Sequence, residues 1–105
     1  MKTPMQLFGS EAPPGWDALI KPLIEQAEEE GLPIFQIKAK FGMLRFYVDG
    51  ASTSLIDAIE KAERASAITC EQCGKPARLC VNESGTWVRT LCEFHARAFH
   101  YALAR

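Results

Sequence analysis

The stretch that decides the fold runs from residue 70 to residue 95. It opens with Cys70-Glu71-Gln72-Cys73-Gly74 and closes, after eighteen intervening residues, with Cys92-Glu93-Phe94-His95. A two-residue gap lets both thiolates of the first pair reach one ion, and Gly74 permits the positive φ that such a turn often needs. The whole pattern is C-x2-C-x18-C-x2-H. A thiolate-rich set of four ligands selects zinc by default. The expectation is one structural Zn2+ per chain, bound through three sulfurs and one nitrogen of Cys70, Cys73, Cys92 and His95.

The residues between the ligand pairs support a metal-bound finger. Ala77 to Asn82 and Thr86 to Leu91 read as short strands joined by Asn82-Glu83-Ser84-Gly85. Thr90-Leu91-Cys92-Glu93 has the form of a capping box, with Thr90 as N-cap and Glu93 at N3. A helix starting there places Cys92 in its first turn and brings Cys92 and His95, three apart, onto one face. Its N-terminus favours the Cys92 thiolate. Knuckle, hairpin, then a helix carrying the second ligand pair is the order of a treble-clef zinc finger, which residues 68–105 resemble. Cys80, inside a strand, reads as a small buried hydrophobe, with an alternate ligand or reactive thiol as the other reading. His100 lies five residues past His95 and points elsewhere, in a surface or partly buried role. Phe94, Phe99, Tyr101 and Leu103 read as packing residues. Trp87 is expected to cover the metal site or the seam to the N-terminal layer.

Working back from the finger, residues 16–67 read as an αββα layer. Trp16, Leu19, Ile20, Leu23, Ile24 and Ala27 recur at helical spacing. Pro22 predicts a kink or a short first turn, and Gly31 and Pro33 end the helix. Phe35, Ile37, Ala39 and Phe41 alternate with Gln36, Lys38 and Lys40; after Gly42, Leu44, Phe46 and Val48 alternate with Arg45 and Tyr47. This is a β-hairpin with one buried face. A second helix follows the N-cap candidates Ser52, Thr53 and Ser54. Leu55, Ile56, Ile59 and Ala62 line its inner side, and Asp57–Lys61 and Glu60–Arg64 form i,i+4 pairs on a solvated face. Residues 1–15, with Pro4, Gly9, Pro13, Pro14 and Gly15, read as a flexible arm. The predicted class is α+β: the αββα layer with the finger packed on it as one compact domain.

Composition narrows the function. At 105 residues, 48% hydrophobic and 24% charged, the chain can bury one core. No apolar run approaches the roughly 20 residues that span a bilayer. Residues 1–10 lack the form of a signal peptide, so a cytoplasmic, reducing setting is expected, where cysteines serve as metal ligands. The net charge of −1 argues against strong nucleic-acid binding by the whole chain. Locally, however, Glu25, Glu28, Glu29 and Glu30 form an acidic helix end, while Lys38, Lys40, Arg45 and Tyr47 share one hairpin face.

An enzyme is not expected. Four protein ligands leave a tetrahedral ion no position for water. The hairpin carries no His of the kind HNH-type nucleases use, and no nucleophile elbow, P-loop or dinucleotide fingerprint occurs. Two binding readings remain open. One is a protein–protein interaction module with no membrane or small-molecule substrate. The alternative is a nucleic-acid-binding zinc finger that uses the basic hairpin face, with Arg78, Arg89 and Arg97 adding to it.

The block Ile37-Lys38-Ala39-Lys40-Phe41-Gly42-Met43-Leu44-Arg45-Phe46-Tyr47, followed by a helix and a CxxCG…W…TLCxxH finger, resembles a family of uncharacterised small treble-clef proteins of bacteria and their phages. Trp87 and Thr90-Leu91-Cys92 belong to that pattern, and the resemblance spans residues 15–96. It implies a shared fold and, for a phage-encoded member, inhibition or regulation of a host factor.

Overall fold

The computed structural model describes residues 12–104. A 3-10 turn at Pro14–Trp16 leads into α1 (Asp17–Glu29), followed by β1 (Ile34–Lys40), β2 (Met43–Val48) and α2 (Thr53–Ser66); β3 (Arg78–Asn82), β4 (Val88–Leu91), α3 (Glu93–Ala98) and β5 (Tyr101–Leu103) complete the chain. The class is α+β, with two antiparallel sheets: β1-β2, and a three-stranded sheet of order β4-β3-β5. No helix among the described residues is long and apolar enough to cross a membrane.

The apolar spacing of α1 places Trp16, Ile20, Leu23, Ile24 and Ala27 in the core. The helix runs through Pro22, whose missing donor falls on the exposed side beside Ala18. It ends where Leu32 N–H donates to Ala27 O and Gly31 N–H to Glu28 O, the paired bonds of a Schellman stop. Glu30 then reaches across. Its carboxylate accepts from Ser52 Oγ (2.7 Å) and Ser52 N (3.1 Å), which keeps its pKa below the usual carboxylate range, while Ser52 Oγ accepts from Leu55 N–H and caps α2. One acidic residue of the α1 end thus fixes the start of α2. Leu55, Ile59 and Ala62 face inward as expected, but Ile56 is exposed. Asp57, Glu60, Lys61 and Arg64 are exposed and form no ion pair among the described residues.

In the hairpin the pairing differs from simple alternation. Of Phe35, Ile37, Ala39 and Phe41, only Ile37 is buried. A register shift between Ile34 and Gln36 turns Phe35 outward. Phe41 leaves the strand altogether: with Gly42 it forms the two-residue turn, at φ 54° and 76° respectively. Leu44 and Phe46 lie in the core, and Lys38 faces Arg45, Gln36 faces Tyr47 and Lys40 faces Met43 on the other side. The outer edge of β2 is sealed by α2, where Ser66 Oγ accepts from Leu44 N–H (2.9 Å) and Glu63 from Phe46 N–H (3.4 Å).

Phe41 is an unusual tenant of its position. A primed hairpin turn favours Asn at its first residue, and a left-handed bulky side chain costs about 1–2 kcal/mol. Phe41 is also 74% exposed, so it recovers little of that by packing. Phe41→Asn is therefore expected to stabilise the fold by about 1 kcal/mol, a rise of about 4–8 °C in Tm by differential scanning calorimetry.

The C-terminal sheet closes a second, smaller core of Cys70, Cys80, Leu91, Cys92 and Ala96, with Ala77 and Tyr101 against it. β5 comes after the helix and pairs with β3, Cys80 opposite Leu103 and Asn82 opposite Tyr101. Hydrogen bonds tie the two cores together. Trp16 Nε1 donates to Thr69 O (2.8 Å), Gly15 N–H donates to Glu71 O (2.7 Å), and Thr90 Oγ1 donates to Gly42 O. The expected arm at 1–15 lies outside the described residues up to position 11. From Ala12, which is fully buried, the chain is part of the packed structure.

Candidate metal centre

Cys70 enters the site directly after α2, on a loop pinned by its own backbone. Gly74 N–H donates to Cys70 O (2.9 Å), Cys70 N–H to Lys75 O (2.8 Å) and Glu71 N–H to Thr90 O (3.0 Å). Gly74 takes φ 80°, the conformation expected of the knuckle. The second pair is presented by the start of α3. Cys92 is its N-cap, and its Sγ accepts from His95 N–H (3.5 Å).

This corrects the capping-box expectation. β4 continues through Leu91, so the helix begins two residues later than Thr90 would place it. Thr90 is buried, and its hydroxyl serves the hairpin turn at Gly42. A sulfur replaces the hydroxyl as cap, and one side chain therefore organises both the helix end and the metal site.

Cys70, Cys73, Cys92 and His95 converge, with their donor atoms all within 4.8 Å of one another. Cys73 Sγ lies 3.7 Å from Cys92 Sγ, and His95 Nδ1 lies 3.7 Å from Cys70 Sγ and 3.2 Å from Cys92 Sγ. A tetrahedral ion with bonds of about 2.3 Å to sulfur and about 2.0 Å to nitrogen sets its donors about 3.6–3.8 Å apart. Two of these three separations match such edges and the third is shorter, and the set, gathered within 4.8 Å, can hold one metal ion. His95 offers Nδ1, and its ring meets Phe94 edge-on (5.1 Å) and Phe99 tilted (5.8 Å).

A polar brace flanks the ligands. Glu71, between the two cysteines of the knuckle and 5% exposed, pairs with Arg89 of β4 at 2.5 Å. The Arg89 guanidinium also lies over Phe99 (4.8 Å) and Tyr101 (5.8 Å). Glu71 and Arg89 lie eighteen residues apart, and no spacing rule joins them, so the sequence carries no signal for this pair.

The remaining candidates separate from the site. Cys80 is buried outside the cluster, its Sγ toward Arg78 O and Leu91 O, and burial pushes its thiol pKa up. His100 is exposed in a left-handed turn (φ 61°) beyond α3 and joins no ligand group among the described residues. Trp87 is 70% exposed and covers neither the metal site nor the seam. It stands at the β3–β4 turn, where Asn82 bonds the Trp87 backbone, and Trp16 fills the seam instead. Phe94, Phe99 and Leu103 are exposed, although the Phe94 and Phe99 rings flank His95; Tyr101 packs against the second core as expected. Lys38, Lys40, Arg45 and Tyr47 do share one hairpin face. Lys38 Nζ lies 5.7 Å over the Tyr47 ring and Lys40 Nζ 5.8 Å over Phe41. Of the finger arginines expected beside them, Arg89 is committed to Glu71 and Arg97 to Glu93.

Comparison with protein-family models, with curated proteins and with solved structures gives no match in any of the three.

Gly15 ties the N-terminal layer to the knuckle by close approach. A Cβ there would fall 2.1 Å from Cys70 O, 2.6 Å from Glu71 C and 2.8 Å from Cys73 N, all backbone atoms. Gly15→Ala must displace the knuckle. The expected outcome is a loss of about 1–3 kcal/mol or more in stability, together with weaker metal binding, read by competition against a chromophoric chelator.

Proposed function

We propose that this chain is a non-enzymatic binding module built on one structural zinc ion, acting in the cytoplasm on a protein partner. The observation that carries the reading is the convergence of three thiols and one imidazole within 4.8 Å of one another. A complete protein ligand set leaves a zinc ion no site for water or substrate. Zinc suits three sulfurs and one nitrogen, and the order of knuckle, hairpin and helix is that of a treble-clef finger. The resemblance of the hairpin block to small proteins of bacteria and phages supports a role as inhibitor or regulator of a host factor.

The binding face we assign is the strip of Lys38, Lys40, Arg45 and Tyr47. Lys38 and Arg45 stand directly opposite each other in the pairing. Like charges so placed destabilise a hairpin, and neither forms an ion pair among the described residues. The contact of Lys38 with the Tyr47 ring offsets part of that cost, and we assign the remainder to the demands of a partner. The same pair, with Tyr47 beside it, also suits phosphates and a stacked base, which keeps nucleic acid as the second reading.

The test joins metal and surface. Elemental analysis with X-ray absorption should find one zinc per chain in a shell of three sulfurs and one nitrogen. The triple change Lys38→Glu, Lys40→Glu, Arg45→Glu should shift stability by no more than about 0.5 kcal/mol per site and abolish capture of the partner. A nucleic-acid partner would show affinity falling steeply with salt; a protein partner would survive chromatography as a defined complex.

A further inference from the structure

The Phe41–Gly42 turn abuts the outer face of the three-stranded sheet. A Cβ on Gly42 would lie 2.5 Å from Leu79 Cδ1, and Thr90 of β4 bonds Gly42 O. The pairings Leu79–Thr90, Val81–Val88 and Val81–Ala102 put Leu79, Val81, Val88 and Ala102 on one side of that sheet, opposite the side of Cys80 and Leu91 that forms the second core. Leu79 and Ala102 are exposed, and the two valines are half-buried. An aliphatic sheet face therefore meets the hairpin turn that carries the exposed Phe41; Lys40 Nζ lies 5.8 Å over the Phe41 ring, and Lys38 and Arg45 follow along the same hairpin.

Resting on the reading of the hairpin as a binding face, we propose that the partner presents an acidic amphipathic segment, its apolar side chains on Phe41, Leu79 and Val81 and its carboxylates on Lys38, Lys40 and Arg45. Three features select this chemistry. Cations beside an apolar patch complement carboxylates beside apolar side chains. Nucleic acid would use the cations but has nothing to place on an aliphatic sheet face. A second copy docked face to face about a two-fold axis would set the lysines against their own counterparts. Lysines on a hairpin also discourage self-pairing, yet that duty does not account for Phe41, which is held in a left-handed turn and exposed. Backbone strain of this kind concentrates at ligand-binding sites, and buried aromatics are the usual anchors of interfaces.

The probe is a fluorescein-labelled peptide of alternating glutamate and leucine, titrated by anisotropy into the zinc-loaded chain and mapped by amide shifts. Three controls accompany it: a glutamate–serine peptide, a lysine–leucine peptide and an oligothymidylate. The expected result is binding of the glutamate–leucine peptide with shifts at Phe41, Leu79 and Val81, and at least tenfold weaker binding of both control peptides. Phe41→Asn should weaken it about tenfold while raising the Tm, and Leu79→Ser should weaken it with metal content unchanged. Equal binding of the glutamate–serine peptide, tighter binding of oligothymidylate that ignores Leu79→Ser, or no peptide binding would overturn the inference. If the triple Lys38, Lys40, Arg45 change abolishes peptide binding and Phe41→Asn does not, the hairpin face stands and the apolar anchor falls. If neither variant alters binding, both fall.

Discussion

Cys92→Ser is expected to cost the chain its metal and, with the metal, the order of its C-terminal third. Of the five buried residues of the second core, three are cysteines and the others are Leu91 and Ala96. So little apolar surface cannot hold a three-stranded sheet and a six-residue helix together. A structural zinc ion contributes about 10–16 kcal/mol of apparent free energy in finger peptides, which matches or exceeds the whole stability of an ordinary domain, about 5–15 kcal/mol. The serine also replaces the sulfur that caps α3, so helix start and ligand set fail together. Native mass spectrometry should show the variant without metal, and amide spectra should lose dispersion over residues 70–103. Chelation of the wild type should give the same spectrum. Cys80→Ala is the control: its sulfur lies outside the donor group, so the metal stays. Dispersed finger resonances in a metal-free chain would refute the structural role.

Trp16→Ala carries the second large effect. Trp16 is fully buried between α1 and the knuckle, and its indole N–H is bonded to the carbonyl of Thr69, the residue before the first ligand. Truncating a buried aromatic costs about 3–5 kcal/mol, and the Thr69 carbonyl loses its partner as well. The expected outcome is a large drop in urea midpoint together with weaker metal binding, since the seam and the first ligand are one continuous structure. Trp16→Phe keeps most of the burial and loses the hydrogen bond, so a smaller loss of about 1–3 kcal/mol is expected. Fluorescence suits the wild-type measurement. Trp87 is already largely in water, so the change on unfolding reports Trp16. The variants should be followed by circular dichroism instead.

The sequence discloses what is encoded locally. Two ligand pairs with two-residue gaps and an apolar stripe at helical period are each encoded within a short stretch and appear at their expected places; the two strands do as well, although in the first only Ile37 of the alternating apolar set is buried. What it conceals depends on contacts between distant segments or on competing local choices. Phe41 continues the alternation on paper, but the tight turn takes it out of the strand. Thr90 has the letters of an N-cap, yet its hydroxyl goes to Gly42, forty-eight residues away, and the Cys92 sulfur takes over. Trp87 is a large apolar residue placed by Asn82 backbone bonds rather than by packing. β5 is three residues long, shorter than any periodicity can register, and exists because β3 has an edge to fill. Glu71 is the buried half of an ion pair whose partner, Arg89, lies eighteen residues on, where no spacing rule points.

The four ligands differ in their access to solvent: Cys70 is sealed, Cys92 nearly so, His95 intermediate and Cys73 exposed. An ion held there can be approached from one side only. Associative exchange would begin with an incoming thiol or chelator arm displacing Cys73, while the other three bonds persist. Small bidentate chelators should then remove the metal at rates that rise with their concentration. Bulky ones should saturate at a rate set by opening of the knuckle. The residence time of an ion bound there is thus expected to depend on Cys73 above all, even where its affinity is shared by four residues.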